Sequence, residues 1–286
     1  MTPIRVLLSH CIDYAGMFPP SGLDLETAVA NYAAYRDGPD CWALGNLVLP
    51  SGALGAFSDR WPHYAAAWPV TAVVRGDLKD KQNIAGLDRA RGSLAAVECG
   101  PFPAAEISRA ANPASDSALL YIEAGATADP AEAIAAIAAI GARPKLRTGG
   151  LTPASIPSVE QVTRFLQCCT GHHVPFKATA GLHHALRGTH ALTTEPASAE
   201  APMHGFLNLL LASALLAHGA ETATAAAVLY EQDAAAFRVT GAGITWRDCT
   251  LTPEQLRRSR AQAMVSFGSC AFVEPLQELR ALGWIG

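Results

Sequence analysis

Two lysines stand in similar surroundings: Lys145-Leu146-Arg147-Thr148-Gly149-Gly150 and, about thirty residues on, Lys177-Ala178-Thr179-Ala180-Gly181-Leu182-His183-His184. A lysine that gives up its proton in a crowded, apolar pocket attacks a carbonyl carbon to form an imine. The imine then draws electrons away for carbon–carbon cleavage or α-proton removal. Such chemistry needs a partner acid/base. Glu98 and Glu123 each end a short apolar run, Asp13 follows another, and His183 is a fourth candidate. Arg147 lies two residues beyond Lys145 and so shares its face of a strand. It would pair with a carboxylate or phosphate. Thr148, Gly149, Gly150, Thr179, Gly181, His184, Ser266, Gly268 and Ser269 offer hydroxyls, ring nitrogens and approachable backbone amides to the same anion. Burying these cations without acids nearby is costly, so the reading also requires the carboxylates to converge on them.

These residues need a frame that brings strand ends together. Short apolar runs alternate with amphipathic stretches, which is the sequence form of repeated βα units around a parallel sheet. The expected strands are Ile4 to Ser9, Ala43 to Leu49, Val70 to Arg75, Leu94 to Glu98, Leu119 to Glu123, Pro144 to Thr148, Pro175 to Thr179 and Met264 to Gly268. Eight of them predict an α/β chain of the (β/α)8-barrel type, with the chemistry at the C-terminal strand ends. Helix starts are marked by Asp24, by Asp129-Pro130 and by Ser158. The segment after Glu98 is a poor helix. Residues 186–262 read as an insertion between strands 7 and 8: a loop from Gly188 to Pro202 able to cover the mouth, buried helices from Met203 to His218 and Thr222 to Phe237, a hairpin over Arg238 to Asp248 and a helix from Pro253 to Ala263. No linker divides the chain, so 1–286 is expected to be one domain. The runner-up, an open doubly wound sheet, lacks a GxGxxG at its first strand-to-helix turn.

The pair K-x-x-T-G at Lys145 to Gly149 and K-A-x-x-G at Lys177 to Gly181 resembles the sixth and seventh strands of deoxyribose-phosphate aldolase, a class I aldolase barrel. Ile12-Asp13-Tyr14 sits where that family has an Ile-Asp-His start. The resemblance implies that Lys145 is the Schiff-base lysine, that Lys177 is the neighbour that makes its proton easier to lose, and that Asp13 lines the site. Leu146-Arg147, the pair His183-His184 and the helical insertion depart from that family.

Other chemistries remain open at this point. His10, Glu98, Glu123 and His183 would be the ligands of a zinc or manganese enzyme, with His10, Glu123 and His183 as the minimal set, although no HxH or HExxH spacing is present. A barrel that binds a small anion without catalysis is a third class. Cys11 and Cys270 read chiefly as small buried hydrophobes, and His204 and Asn208, which share a helix face, as satisfying each other or the covering loop. The 21 Lys and Arg residues are scattered and the net charge is −4, which argues against nucleic acid. The longest apolar stretch, Phe206 to Ala217, is too short for a bilayer. Seven cysteines without a CxxC fit a reducing cytoplasm. The expected ligand is a small anionic carbonyl metabolite, with no cofactor on the imine reading, and the Ala-rich surface suits a homodimer.

Overall fold

A computed structural model describes residues 1–75, 94–108, 118–125, 129–193 and 195–286. Eight parallel strands close into a barrel in the order β1-β13-β7-β6-β5-β4-β3-β2, where β1 is Ile12–Tyr14, β2 Leu44–Pro50, β3 Val70–Val73, β4 Leu94–Cys99, β5 Leu119–Glu123, β6 Arg143–Arg147, β7 Phe176–Thr179 and β13 Met264–Ser269. Helices alternate with the strands, and the fold is a (β/α)8 barrel.

Seven of the expected strands fall where the apolar runs place them. The first does not. Pro3–Leu8 is a short helix, with proline in its first turn where the missing N–H costs nothing. The strand that closes the barrel is Ile12–Tyr14, only three residues long. Its backbone is pinned on both sides, by Phe267, Gly268 and Ser269 on β13 and by Leu44 and Leu47 on β2.

Local chemistry explains the main helices. Asp24 caps Leu25–Asp37 by accepting from the Thr27 amide. Ser158 and Gln161 form a reciprocal capping box on Val159–Gly171, and Thr252 with Gln255 does the same for Pro253–Gln262. Asp129 accepts from the Ala131 amide at the start of Ala131–Ala139. After β4 only Ala104–Ile107 is helical among the described residues of that connection.

The segment between β7 and β13 contains the antiparallel hairpin β8 (Gly188–Ala191) and β9 (Glu200–Met203), the helices Phe206–Ala217 and Thr222–Tyr230, and a three-stranded sheet of β10 (Phe237–Thr240), β11 (Gly243–Trp246) and β12 (Cys249–Leu251). The expected loop over 188–202 is thus a hairpin, and the expected two-stranded hairpin near 238–248 gains a third strand. Phe206–Ala217 buries eleven of its twelve residues, which is why it is apolar on every face. Phe206 stacks on Phe267 of β13 with centroids 5.2 Å apart. Among the described residues no helix is long and apolar enough to cross a membrane.

Candidate active site

Strand alternation decides what enters the barrel. Lys145 pairs in register with Glu123 on one side and Lys177 on the other, and Lys177 pairs with Ser266. All four side chains therefore project to the same, inner face. Barrel interiors are usually layered with bulky aliphatic residues. Here the buried set includes Asp13, Thr71, Glu98, Lys145, Lys177 and Ser266.

The charges form one connected network. Lys177 Nζ lies 2.6 Å from Asp13 Oδ2 and 2.5 Å from Glu98 Oε1. The other oxygen of Glu98 is 3.4 Å from Lys145 Nζ, which is also 3.2 Å from Glu123 Oε2. Glu98 thus bridges the two ammonium groups. Asp13 accepts two further hydrogen bonds, from Ser266 Oγ at 2.9 Å and from the Asn46 amide at 2.8 Å. The Lys177 ammonium also sits 5.5 Å from the centroid of the Tyr121 ring. Burial works against the charge on Lys177, but Asp13 and Glu98 outweigh it and the pKa is raised. Burial likewise opposes the Glu98 carboxylate, and Lys177 and then Lys145 reverse this, holding it below the usual value.

Above the network opens a cavity of about 610 Å³, lined by Glu98, Glu123 and Lys145 but not by Lys177. The two lysines therefore differ in placement. Lys145 faces the space where a ligand would sit, and Lys177 is clamped beneath. Arg147 lines the same cavity one inward position above Lys145, and no ion pair engages its guanidinium among the described residues. Arg75, Thr179, Gly181, Gly268, His183 and His184 complete the polar wall. The β8–β9 hairpin contributes Ala191, Leu192 and Met203, so the insertion forms part of the mouth.

Several expected residues serve the frame instead of the cavity. Thr148 Oγ1 donates to the Ala180 carbonyl at 2.6 Å and is buried. Gly149 is required by close approach, since a Cβ there would lie 2.8 Å from Gly181 Cα. Together they lock the loop after β6 to the loop after β7, where Gly181 takes φ +73°. Ser266 holds Asp13 as described, and Ser269 Oγ donates to the Ala271 carbonyl at 2.8 Å. Neither serine lines the cavity. His184 does line it, but its Nδ1 is engaged by Glu278 at 2.5 Å and its ring stacks on His190 of the hairpin.

The metal set expected from His10, Glu123 and His183 does not assemble. His10 precedes β1, is exposed, and donates from Nδ1 to the Leu44 carbonyl at 3.0 Å, at the end of the barrel opposite the mouth. Among the described residues no three His, Cys, Asp or Glu side chains converge as metal ligands. His204 and Asn208 do not bond each other, but both meet Arg187 at the entry to the β8–β9 hairpin: its amide donates to Asn208 Oδ1 at 2.9 Å and its Nη1 lies 3.4 Å from His204 Nδ1, while His204 Nε2 donates to the Pro157 carbonyl at 2.7 Å and Asn208 Nδ2 to the Val228 and Glu231 carbonyls.

Sequence reasoning missed Tyr121, Ser266 as the partner of Asp13, and Asn46, whose backbone amide rather than side chain does the work. Tyr121 was detectable, because it lies two residues before Glu123 and hence on the same strand face. Fold and site together define a (β/α)8 barrel whose inner wall carries a bridged lysine–carboxylate network under an open cavity. Comparison with protein-family models, curated proteins and solved structures finds no match for this chain. Barrels with polar strand ends at the C-terminal mouth commonly host enzymes.

Proposed function

We propose that the chain is a lyase or isomerase that forms an imine between Lys145 and a small carbonyl compound carrying a carboxylate or phosphate. The observation that carries this reading is a buried lysine opening onto a cavity between two carboxylates, with a second lysine locked directly behind it. Lys145 transfers a proton to Glu123, 3.2 Å away, and the free amine attacks the carbonyl carbon. The carbinolamine loses water as Glu123 returns the proton to the departing hydroxyl. The resulting iminium carries the same single positive charge as the ammonium it replaces, so Glu98 and Glu123 match it without rearrangement. The fixed charge of Lys177 keeps Glu98 ionised beside the reacting amine. Glu98 or Glu123 then takes the α-proton, or the hydroxyl proton whose loss breaks the carbon–carbon bond. Arg147, with the loop amides near Gly150 and Gly181, faces the anionic end of the substrate.

The test is borohydride reduction in the presence of small aldehydes and keto acids, read by intact mass and peptide mapping. We expect a single reduced adduct on Lys145, absent from Lys145→Met. An adduct on Lys177 would reverse the assigned roles. No adduct with any carbonyl compound, together with stoichiometric metal in the purified protein, would overturn the imine mechanism.

A further inference from the structure

The mouth of the cavity holds a second reactive constellation, separate from the lysine network. Cys270 follows the end of β13, and His183 follows the end of β7. Glu274 lies in the first turn of the C-terminal helix Val273–Ala281. His183 Nε2 lies 3.8 Å from Cys270 Sγ, and its Nδ1 lies 3.2 Å from Glu274 Oε2. All three line the cavity. An imidazolium between a thiolate and a carboxylate donates from both ring nitrogens, so each of its protons has an anionic acceptor.

We propose that Cys270, His183 and Glu274 form a covalent binding site that takes the carbonyl carbon of a small aldehyde as a hemithioacetal. The step balances without an oxidant. The Cys270 thiolate forms the S–C bond, the carbonyl π pair moves to oxygen, and that oxygen takes the Nε2 proton of His183. Neutral His183 is left donating from Nδ1 to Glu274, and the reverse path restores every group. Addition needs only this one proton donor. Acyl transfer would also need a free oxyanion donor, whereas the amide of Ala271, the next residue, donates to Ser269 Oγ.

The electrostatics agree with the geometry. Burial pushes the Cys270 thiol up, but the hydrogen bond and charge of His183, with Ser21 assisting, bring it below the ordinary thiol value. Burial opposes the charge on His183, yet Cys270 and Glu274 raise its pKa to about 9. Four other cysteines go the opposite way: burial raises Cys11 to about 11, Cys99 to about 12, and Cys168 and Cys169 as well. The titratable neighbours of the thiol are His183 and, from the first strand, Tyr14; Glu274 itself feels His183, His184 and Tyr35.

The experiment measures iodoacetamide labelling of each cysteine by peptide mass spectrometry from pH 5.5 to 9.5, with exposed Cys41 as the internal reference. Limited access scales the rate of a thiol but not its pH midpoint. We expect Cys270 to reach half its limiting rate at a lower pH than Cys41. His183→Gln should raise that midpoint by at least one unit, and Glu274→Gln, a change at a largely exposed side chain, by less. Coincident midpoints, an unchanged midpoint in His183→Gln, or a Cys270 that labels at no pH would overturn the thiolate. Glycolaldehyde should slow labelling of Cys270 saturably, and not of Cys41, in wild type and in Lys145→Met alike. Protection that is missing, or that disappears in Lys145→Met, would overturn the aldehyde site. Protection that persists without a borohydride adduct at Lys145 would support this site and count against the imine reading alone.

Discussion

Replacing Asp13 by asparagine changes one oxygen to an NH2 and leaves the shape almost intact, so it isolates charge. The wild-type carboxylate lies 2.6 Å from Lys177 Nζ and accepts from Ser266 and the Asn46 amide. At that distance and an effective dielectric of about 20, the attraction to Lys177 is about 6 kcal/mol before desolvation. Glu98, 2.5 Å away on the other side of the ammonium, makes up part of the loss. The amide must also turn an NH2 donor toward one of three donors. Removing one member of a buried pair typically costs about 3–5 kcal/mol, and we expect a loss in that range. Spread over a chain of 286 residues, this lowers the melting temperature by roughly 5–8 °C. Lys177→Met should cost as much, because it leaves Asp13 without its cation. The double variant should lose less than the sum of the two by about 1–3 kcal/mol, the sign of a coupled pair. Circular dichroism melts and urea titrations of the four proteins supply the cycle. A loss below about 1 kcal/mol in Asp13→Asn, or strict additivity, would refute the claim that Asp13 holds Lys177 charged.

Gly45→Ala should imitate Asp13→Asn without touching a charge, because a Cβ there would lie 2.3 Å from Asp13 Oδ1 and 3.2 Å from the Ile12 backbone; a thermal melt indistinguishable from wild type would show that the carboxylate is free to move. Arg147→Ala should raise the concentration of a carboxylate-bearing aldehyde needed for half-maximal borohydride adduct by about 10–100-fold, the worth of a hydrogen bond to a charged group, while a neutral aldehyde is little affected; equal effects on both would remove Arg147 as the anion clamp. His204 is buried, and burial lowers its pKa to about 4. Its neutral form is therefore the folded one, so the stability it confers is complete above pH 6.5 and is lost as pH falls toward 4, by about 3 kcal/mol in all. Urea titrations should show the gap between wild type and His204→Gln shrinking over that interval; a gap constant with pH would contradict it.

The barrel was legible because seven strands carry apolar runs long enough to register, and Asp24, Asp129 and Ser158 mark helix starts among them. The first strand was not. Ile4-Arg5-Val6-Leu7-Leu8 is the stronger apolar run and reads as a strand by composition, but Pro3 starts it as a helix. Ile12-Asp13-Tyr14 is too short to show alternation, and its pairing comes from β2 and β13, more than thirty and two hundred and fifty residues away. The lysines and acids were visible because a charged residue at the end of an apolar strand is chemically conspicuous. What each one touches was not visible. Thr148 and Gly149 stand one and two residues beyond Arg147, yet the twist of the loop sends their contacts to Ala180 and Gly181 and not to the cavity. The thiol site was hidden for another reason: its three members are 87 and 91 residues apart across His183, and no local pattern records such a meeting.

Stability alone gives no reason for the interior to look as it does. Two ammonium groups and three carboxylates taken out of water cost several kcal/mol each, and their mutual attraction does little more than offset that. A layer of leucine and methionine of the same volume would hold the strands at least as well, which is why the double variant at Asp13 and Lys177 should lose less than the two single changes added together. The network instead fixes position. Glu98 cannot shift without giving up one of its two ion pairs, Asp13 is bound through both oxygens, and Lys177 is held from two sides. Of the two lysines, the one with less restraint and more access is Lys145, at the boundary between this rigid floor and the cavity. An arrangement that spends folding energy to hold acids within about 3 Å of one accessible amine is accounted for by the proton transfers that amine must undergo.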